Sequence, residues 1–203
     1  MLPTLQQTKE LYDFATSKTN VLNRQMGLPE GVSAVHYQNV AFIAATIAEA
    51  AGLETQKAYI LGLLHDYGEY IEDTVAGTFH GTAGYDEMIK LGFDEVARTC
   101  LSHSFFDASF IPEDYASYDR SEITRARKLI EENGLDDYDR LIHIADLMAP
   151  GLKIDTVENR IAFIVDKYHV EPVLGAQKLR DALTLKSYFD AKCGCNIYSL
   201  FNL

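Results

Sequence analysis

The sequence predicts an all-α fold of about eight or nine helices. Three observations predict it. Apolar residues recur at helical spacing along most of the chain. No stretch of convincing length alternates apolar and polar residues as a strand would. Glycine and proline punctuate the pattern where helices should end. The chain has 203 residues, enough to bury a core without disulfide staples. No internal repeat or low-complexity linker divides it, so one domain over 1–203 is expected.

A first helix should follow Thr4 and run to about Ser17, with Leu5, Leu11, Tyr12 and Ala15 as its apolar stripe. Ser33 can cap a second helix that continues to Ala51 and stops at Gly52. The third, from about Glu54 to Asp66, contains the apolar run Tyr59-Ile-Leu-Gly-Leu-Leu64 and should lie at the centre. Residues Tyr67 to Phe79 read as a loop, with Gly68 and Gly77. His80 opens a fourth helix to about Leu91, and Gly92 breaks it. Asp94 can cap a fifth through His103. The segment Ser104 to Arg120 is irregular, with aromatics, aspartates and Pro112, and long ordered connections of this kind are often binding loops. Ser121 can cap a sixth helix to Asn133, stopped by Gly134. Asp136 to Met148 form a seventh, ended by Pro150-Gly151. Asp155 to Tyr168 and Val173 to Lys192 complete the set.

The net charge of −12 argues against a nucleic-acid-binding face, because phosphate affinity comes mainly from Lys and Arg. A small anionic substrate is still compatible if bound metal supplies local positive charge. Residues 1–10 lack the apolar core of a signal peptide. The longest apolar stretch, Val40 to Ala48, is too short for a bilayer, which takes ~20 residues. Cys100, Cys193 and Cys195 read as reduced thiols of a cytoplasmic protein. The apolar tail Tyr198 to Leu203 must be covered, either by a second copy in a homodimer or by its own domain.

Five of the six histidines fall in a series with two aspartates: His36, His65-Asp66, His80, His103, then His143 one turn before Asp146. Each member sits in or beside an apolar, helix-like stretch. An imidazole or carboxylate placed against a core is costly unless compensated, and a metal ion compensates several at once. His is the commonest metal ligand, and Asp joins it for harder divalent ions. Taken singly, each residue could equally be a satisfied core histidine or a solvent-facing aspartate. The ordered series points to a buried polynuclear site.

The order His36, His65-Asp66, Asp146 resembles the HD-domain metal-dependent phosphohydrolases. The local words match as well: Ser33-Ala-Val-His36-Tyr-Gln-Asn-Val40, Leu61-Gly-Leu-Leu-His-Asp-Tyr-Gly68 and Leu141-Ile-His-Ile-Ala-Asp-Leu147. The likeness covers about residues 30 to 150, which would be the metal-binding core, with helices over 155–192 packed on it. His80-Gly-Thr-Ala-Gly84 and Leu101-Ser-His103 resemble the subgroup that holds two metals. By that resemblance His36, His65, Asp66 and Asp146 would hold one ion. Asp66, His80 and His103 would hold the second, with Asp66 bridging. Fe, Mn, Co, Ni, Zn and Mg all suit such ligands. Three departures stand out: Glu69 replaces the family's usual Lys after the His-Asp-x-Gly word, the Gly-Tyr-Pro word of the cyclic-dinucleotide phosphodiesterases is missing, and Ser104 follows His103 where those enzymes often have a second His.

The resemblance implies a hydrolase acting on a small nucleotide-like phosphoester or phosphoanhydride. A hydroxide shared between the ions would attack phosphorus, with His65 and Asp66 as the catalytic pair. Arg120, Arg125, Arg127 and Lys128 are the nearest basic candidates for substrate phosphate, or else a solvated helix face. His143 is a candidate hydrogen-bond donor behind the metal ligands, or a structural histidine. Tyr67, Tyr70 and Phe105-Phe106 could border a pocket or belong to the core. The alternative is a mixed-valent di-iron oxygenase of the same superfamily acting on a small polar substrate.

Overall fold

The computed structural model describes residues 1–25, 27, 29–72, 78–105 and 119–203. Among them there is no strand, and the chain is all-helical. The helices are α1 (Leu5–Gln25), α2 (Val32–Ala51), α3 (Thr55–Leu64), α4 (Glu69–Glu72), α5 (His80–Lys90), α6 (Asp94–Ser102), α7 (Arg120–Asn133), α8 (Asp137–Leu147), α9 (Val157–Lys167) and α10 (Pro172–Cys193), followed by a 3₁₀ turn at Ile197–Phe201. Most of the expected binding loop, 106–118 with Phe106 and Pro112, lies outside the described residues, as does 73–77 with Gly77.

Helices α2 and α3 form the central hairpin. Gly62 makes their approach close: a Cβ there would lie 2.8 Å from the Ala41 Cα. Val40, Ile43, Ala44 and Ile47 of α2 meet Ile60, Leu61 and Leu64 of α3, and Leu141, Ile144 and Ala145 of α8 complete the layer. Helix α10 packs against α2, α8 and α9, burying Ala182 and Phe189. A smaller cluster of Phe79, Leu101, Phe105, Ala126 and Ile130 joins the α5–α6 pair to α7.

Several helix ends differ from expectation. Helix α1 continues to Gln25, past the polar run at Ser17. The Thr16 and Thr19 hydroxyls donate to carbonyls one turn back, so these residues lie buried within the helix instead of ending it. Ser33 does not cap α2. Gly31 occupies the cap with φ 81°, and Ser33 is buried inside the first turn. Phe93, not Asp94, precedes α6, and Asp119 caps α7 by accepting from the Ser121 N–H at 2.8 Å. Thr156 caps α9. Gly31 and Phe93 thus precede their helices with no side-chain cap, whereas Asp119 and Thr156 accept from the first turn as capping residues do.

The apolar tail folds back on its own chain. Ile197 and Tyr198 are buried, and the Tyr198 hydroxyl accepts from the Val157 N–H at 2.9 Å and donates to Glu158 at 2.5 Å. Among the described residues, no helix is long and apolar enough to cross a membrane.

Candidate metal centre

Helix termini converge on one centre. His36 stands in the second turn of α2, His65 closes α3, and Asp66 follows in the tight turn to α4. His80 is the first residue of α5, His103 closes α6, and Asp146 lies in the last turn of α8. The last carbonyls of a helix have no intrahelical donor, and here imidazoles serve them. His65 Nδ1 lies 2.8 Å from the Gly62 carbonyl, and His103 Nδ1 lies 2.9 Å from that of Cys100. His36 Nδ1 reaches the Ala149 carbonyl just beyond α8, at 2.9 Å. A carbonyl can only accept, so each Nδ1 carries the donated proton. That turns each Nε2 toward the centre and fixes the ring, the usual arrangement behind a metal-binding histidine.

Asp66 lies between two groups of these nitrogens. Its Oδ2 is 3.4 Å from His36 Nε2 and 3.2 Å from His65 Nε2. Its Oδ1 is 3.1 Å from His103 Nε2 and 3.5 Å from His80 Nε2. Asp146 Oδ1 adds a second carboxylate to the first group, 3.3 Å from His36 Nε2. His80 and His103 bring their Nε2 atoms within 3.2 Å of each other. Two triads, His36–His65–Asp66 and Asp66–His80–His103, each offer ligand atoms within 4.8 Å of one another, and each could hold a metal ion.

A cation fits the donor set for a second reason. His65 Nε2 is fully buried, and although Asp66 is near, no hydrogen bond reaches it. Such an orphaned nitrogen is destabilising unless something accepts its lone pair. The electrostatics agree. Burial would raise the Asp66 and Asp146 carboxyls, yet His65 and His103 hold Asp66, and His36 holds Asp146, well below the usual carboxylate range. Burial would lower His36, but Asp146 and Asp66 hold it up to about 10. Without metal, therefore, a proton on His36 occupies the place a cation would take.

Gly68 permits the assembly. A Cβ on it would strike the His80 carbonyl oxygen and the Gly84 nitrogen, so the His-Asp turn rests directly on the start of α5. The Glu69 side chain, where a Lys was the usual residue of the resembled family, accepts a hydrogen bond from the buried Tyr37 hydroxyl.

The remaining candidates are dispersed. Arg125 pairs with Asp86 through contacts of 2.8 and 2.5 Å, and Lys128 faces solvent beside Glu132 at 3.7 Å. Arg120 and Arg127 are exposed on α7. His143 is buried beside the centre, its Nδ1 3.1 Å from the Phe105 carbonyl. Burial pushes it down to about 4, so it is neutral near pH 7. Tyr67 and Phe105 are core residues. Sequence reasoning missed Lys178. It is half-buried on α10, in register with buried Gly175 and Ala182, and its charge acts on His143. A lysine on the apolar stripe of a helix is the signal that could have found it.

An all-helical frame that draws imidazoles and carboxylates from several helices to one point defines a metal-binding helical protein. A sequence model of the family described as HD domain matches residues 34–171, more than half of the chain, and the chain belongs to that family. Membership places it in a superfamily of metal-dependent phosphohydrolases. The chain is also similar to ribonuclease Y of Thermotoga petrophila, Thermotoga sp. and Thermotoga maritima, each 26% identical over 156 residues. The alignments cover 76% of this chain and 30% of each relative, so the chain spans less than a third of their length. No solved structure matches it significantly.

Proposed function

We propose that this protein hydrolyses a phosphoester or phosphoanhydride of a small nucleotide-like compound, using two divalent cations. The observation that carries the reading is the division of Asp66, with one oxygen turned to each triad. His36, His65, Asp66 and Asp146 would hold one cation, and Asp66, His80 and His103 the other. When bound, the cations would supply Lewis acidity toward the phosphoryl group and a water acidic enough to ionise near neutral pH.

The chain's own residues do the positioning. The carbonyls of Gly62, Cys100 and Ala149 hold the three imidazoles by their Nδ1 atoms, so the rings cannot turn when substrate enters. Neutral His143 braces the Phe105 backbone beside the centre. Lys178, whose charge acts on buried His143 beside the centre, is a further cationic candidate to neutralise substrate phosphate. Similarity to ribonuclease Y supports cleavage at phosphorus, while the net charge of −12 favours a small anion over a long polynucleotide.

The test begins with protein stripped of metal and reloaded singly with Mn²⁺, Fe²⁺, Co²⁺, Ni²⁺, Zn²⁺ or Mg²⁺. Nucleotides and a short RNA are then screened for hydrolysis. Metal-dependent release of phosphate or nucleotide is expected, and Asp66→Ala should abolish it together with metal uptake. If Asp66→Ala leaves both intact, the proposal is wrong. If an iron-loaded sample consumes O₂ with a polar substrate and hydrolyses nothing, the protein is an oxygenase.

A further inference from the structure

We propose that Ser104 donates a hydrogen bond directly to a substrate phosphoryl oxygen on the His80–His103 side of the centre, an inference that rests on the phosphohydrolase reading above. Ser104 Oγ lies 3.1 Å from His103 Nε2. That is the nitrogen 3.1 Å from Asp66 Oδ1 and 3.2 Å from His80 Nε2. The His103 Nδ1 proton goes to the Cys100 carbonyl, which leaves Nε2 to share a hydrogen bond with the Ser104 hydroxyl. The in-plane position of a ring nitrogen holds one partner. It can be given to Ser104 or to a cation, but not both.

Loading the triad therefore takes the His103 partner away from Ser104 without moving the serine. Its backbone is held on both sides. The Phe105 N–H donates to the Ser102 carbonyl at 3.0 Å, the Phe105 ring is buried, and the Phe105 carbonyl is held by His143 at 3.1 Å. The Ser102 hydroxyl is itself fixed to Asp139 at 2.7 Å. Ser104 is half-buried, so its hydroxyl sits beside the coordination sphere with limited water to turn to. A phosphoryl oxygen drawn to the same cation is an acceptor at the distance the hydroxyl already spans. The serine hydroxyl is then released from histidine by metal loading and can donate to substrate.

The experiment uses the full chain, unaltered and as Ser104→Ala and Ser104→Thr, each loaded with Mn²⁺. Manganese content is measured by elemental analysis and inorganic phosphate binding by titration calorimetry. Ser104→Ala should keep its manganese and bind phosphate ~10-fold or more weakly, the loss expected for a hydrogen bond to a charged acceptor. Ser104→Thr retains the hydroxyl and should bind phosphate like the unaltered chain. Equal phosphate affinity in Ser104→Ala overturns the inference, as does loss of manganese from that variant, which would make Ser104 part of the metal cage. If the unaltered chain takes up manganese but not phosphate, the inference is also overturned. If it takes up no manganese, the phosphohydrolase reading itself falls and takes Ser104 with it.

Discussion

Asp66 is the residue on which the centre turns, because both triads share it. Removing it should differ in kind from removing a ligand of one triad. Asp66→Ala is expected to bind no Mn²⁺, whereas His80→Ala should retain an ion on the His36–His65–Asp66–Asp146 side. Elemental analysis after gel filtration measures both. Equal retention by the two variants would mean that Asp66 bridges nothing. The series of histidines and aspartates was legible in the sequence because imidazoles and carboxylates stand out against apolar helices. The groups that aim them were not. The carbonyls of Gly62, Cys100 and Ala149 belong to unremarkable residues, and a backbone acceptor leaves no mark in a sequence. Lys178 was missed because 32 positions separate it from Asp146 along the chain, though α8 and α10 pack together.

At the scale of elements, α8 shows how a helix carries a ligand to a fixed point. Asp136 caps it with a capping box, accepting from the N–H groups of Tyr138 and Asp139, while Asp139 accepts from the Asp136 N–H at 2.7 Å. Burial would raise the Asp136 carboxyl, but those amides and the Arg98 charge hold it below its ordinary value of 3.8. A depressed carboxyl contributes stability that is present above 3.8 and lost as the pH falls through its folded value. Asn caps a helix about as well as Asp, so Asp136→Asn isolates the charge. The unaltered protein should be the more stable at pH 7, and the gap should narrow below pH 3.8. Urea midpoints at pH 7 and 3 would refute this if the gap stayed constant.

Gly68 makes a second element-scale prediction. Gly68→Ala should cost ~1–3 kcal/mol, the usual penalty of overpacking. It should also weaken binding at His80 and His103 more than at His36 and His65, because the added methyl pushes α5 away. Urea denaturation and metal stoichiometry together test it, and an unchanged second site would contradict it. Helix stops were legible at Gly52, Gly92 and Gly134, which all have positive φ. Helix starts were less so, since Ser33, Asp94 and Ser121 have cap chemistry but sit one or two places inside their helices.

For the molecule as a whole, metal should act as a fold ligand. At a centre of four histidines and two aspartates, a proton on His36 faces the carboxylates in the metal-free state, and cations would do so when loaded. Adding Mn²⁺ at ~100 times its dissociation constant should stabilise the protein by ~2.7 kcal/mol. The thermal midpoint should rise with Mn²⁺ and fall again with a chelator, as scanning calorimetry would show. An unchanged midpoint would mean that the folded state has no preference for metal. The acidic surface, net −12, would be repelled by polyanions, and any substrate phosphate must find its positive charge at the centre.

The sequence by itself determined the helical class, the central place of α3 and the histidine–aspartate series proposed to hold a cation. These follow from periodicity and side-chain chemistry, which are local properties. Only the tertiary structure decided that Asp66 divides its oxygens between two groups and that the tail covers its own chain. It also decided that Arg125 belongs to Asp86 and that Ser104 stands against His103 Nε2. Those outcomes depend on distances between residues far apart in the chain, and packing alone sets such distances.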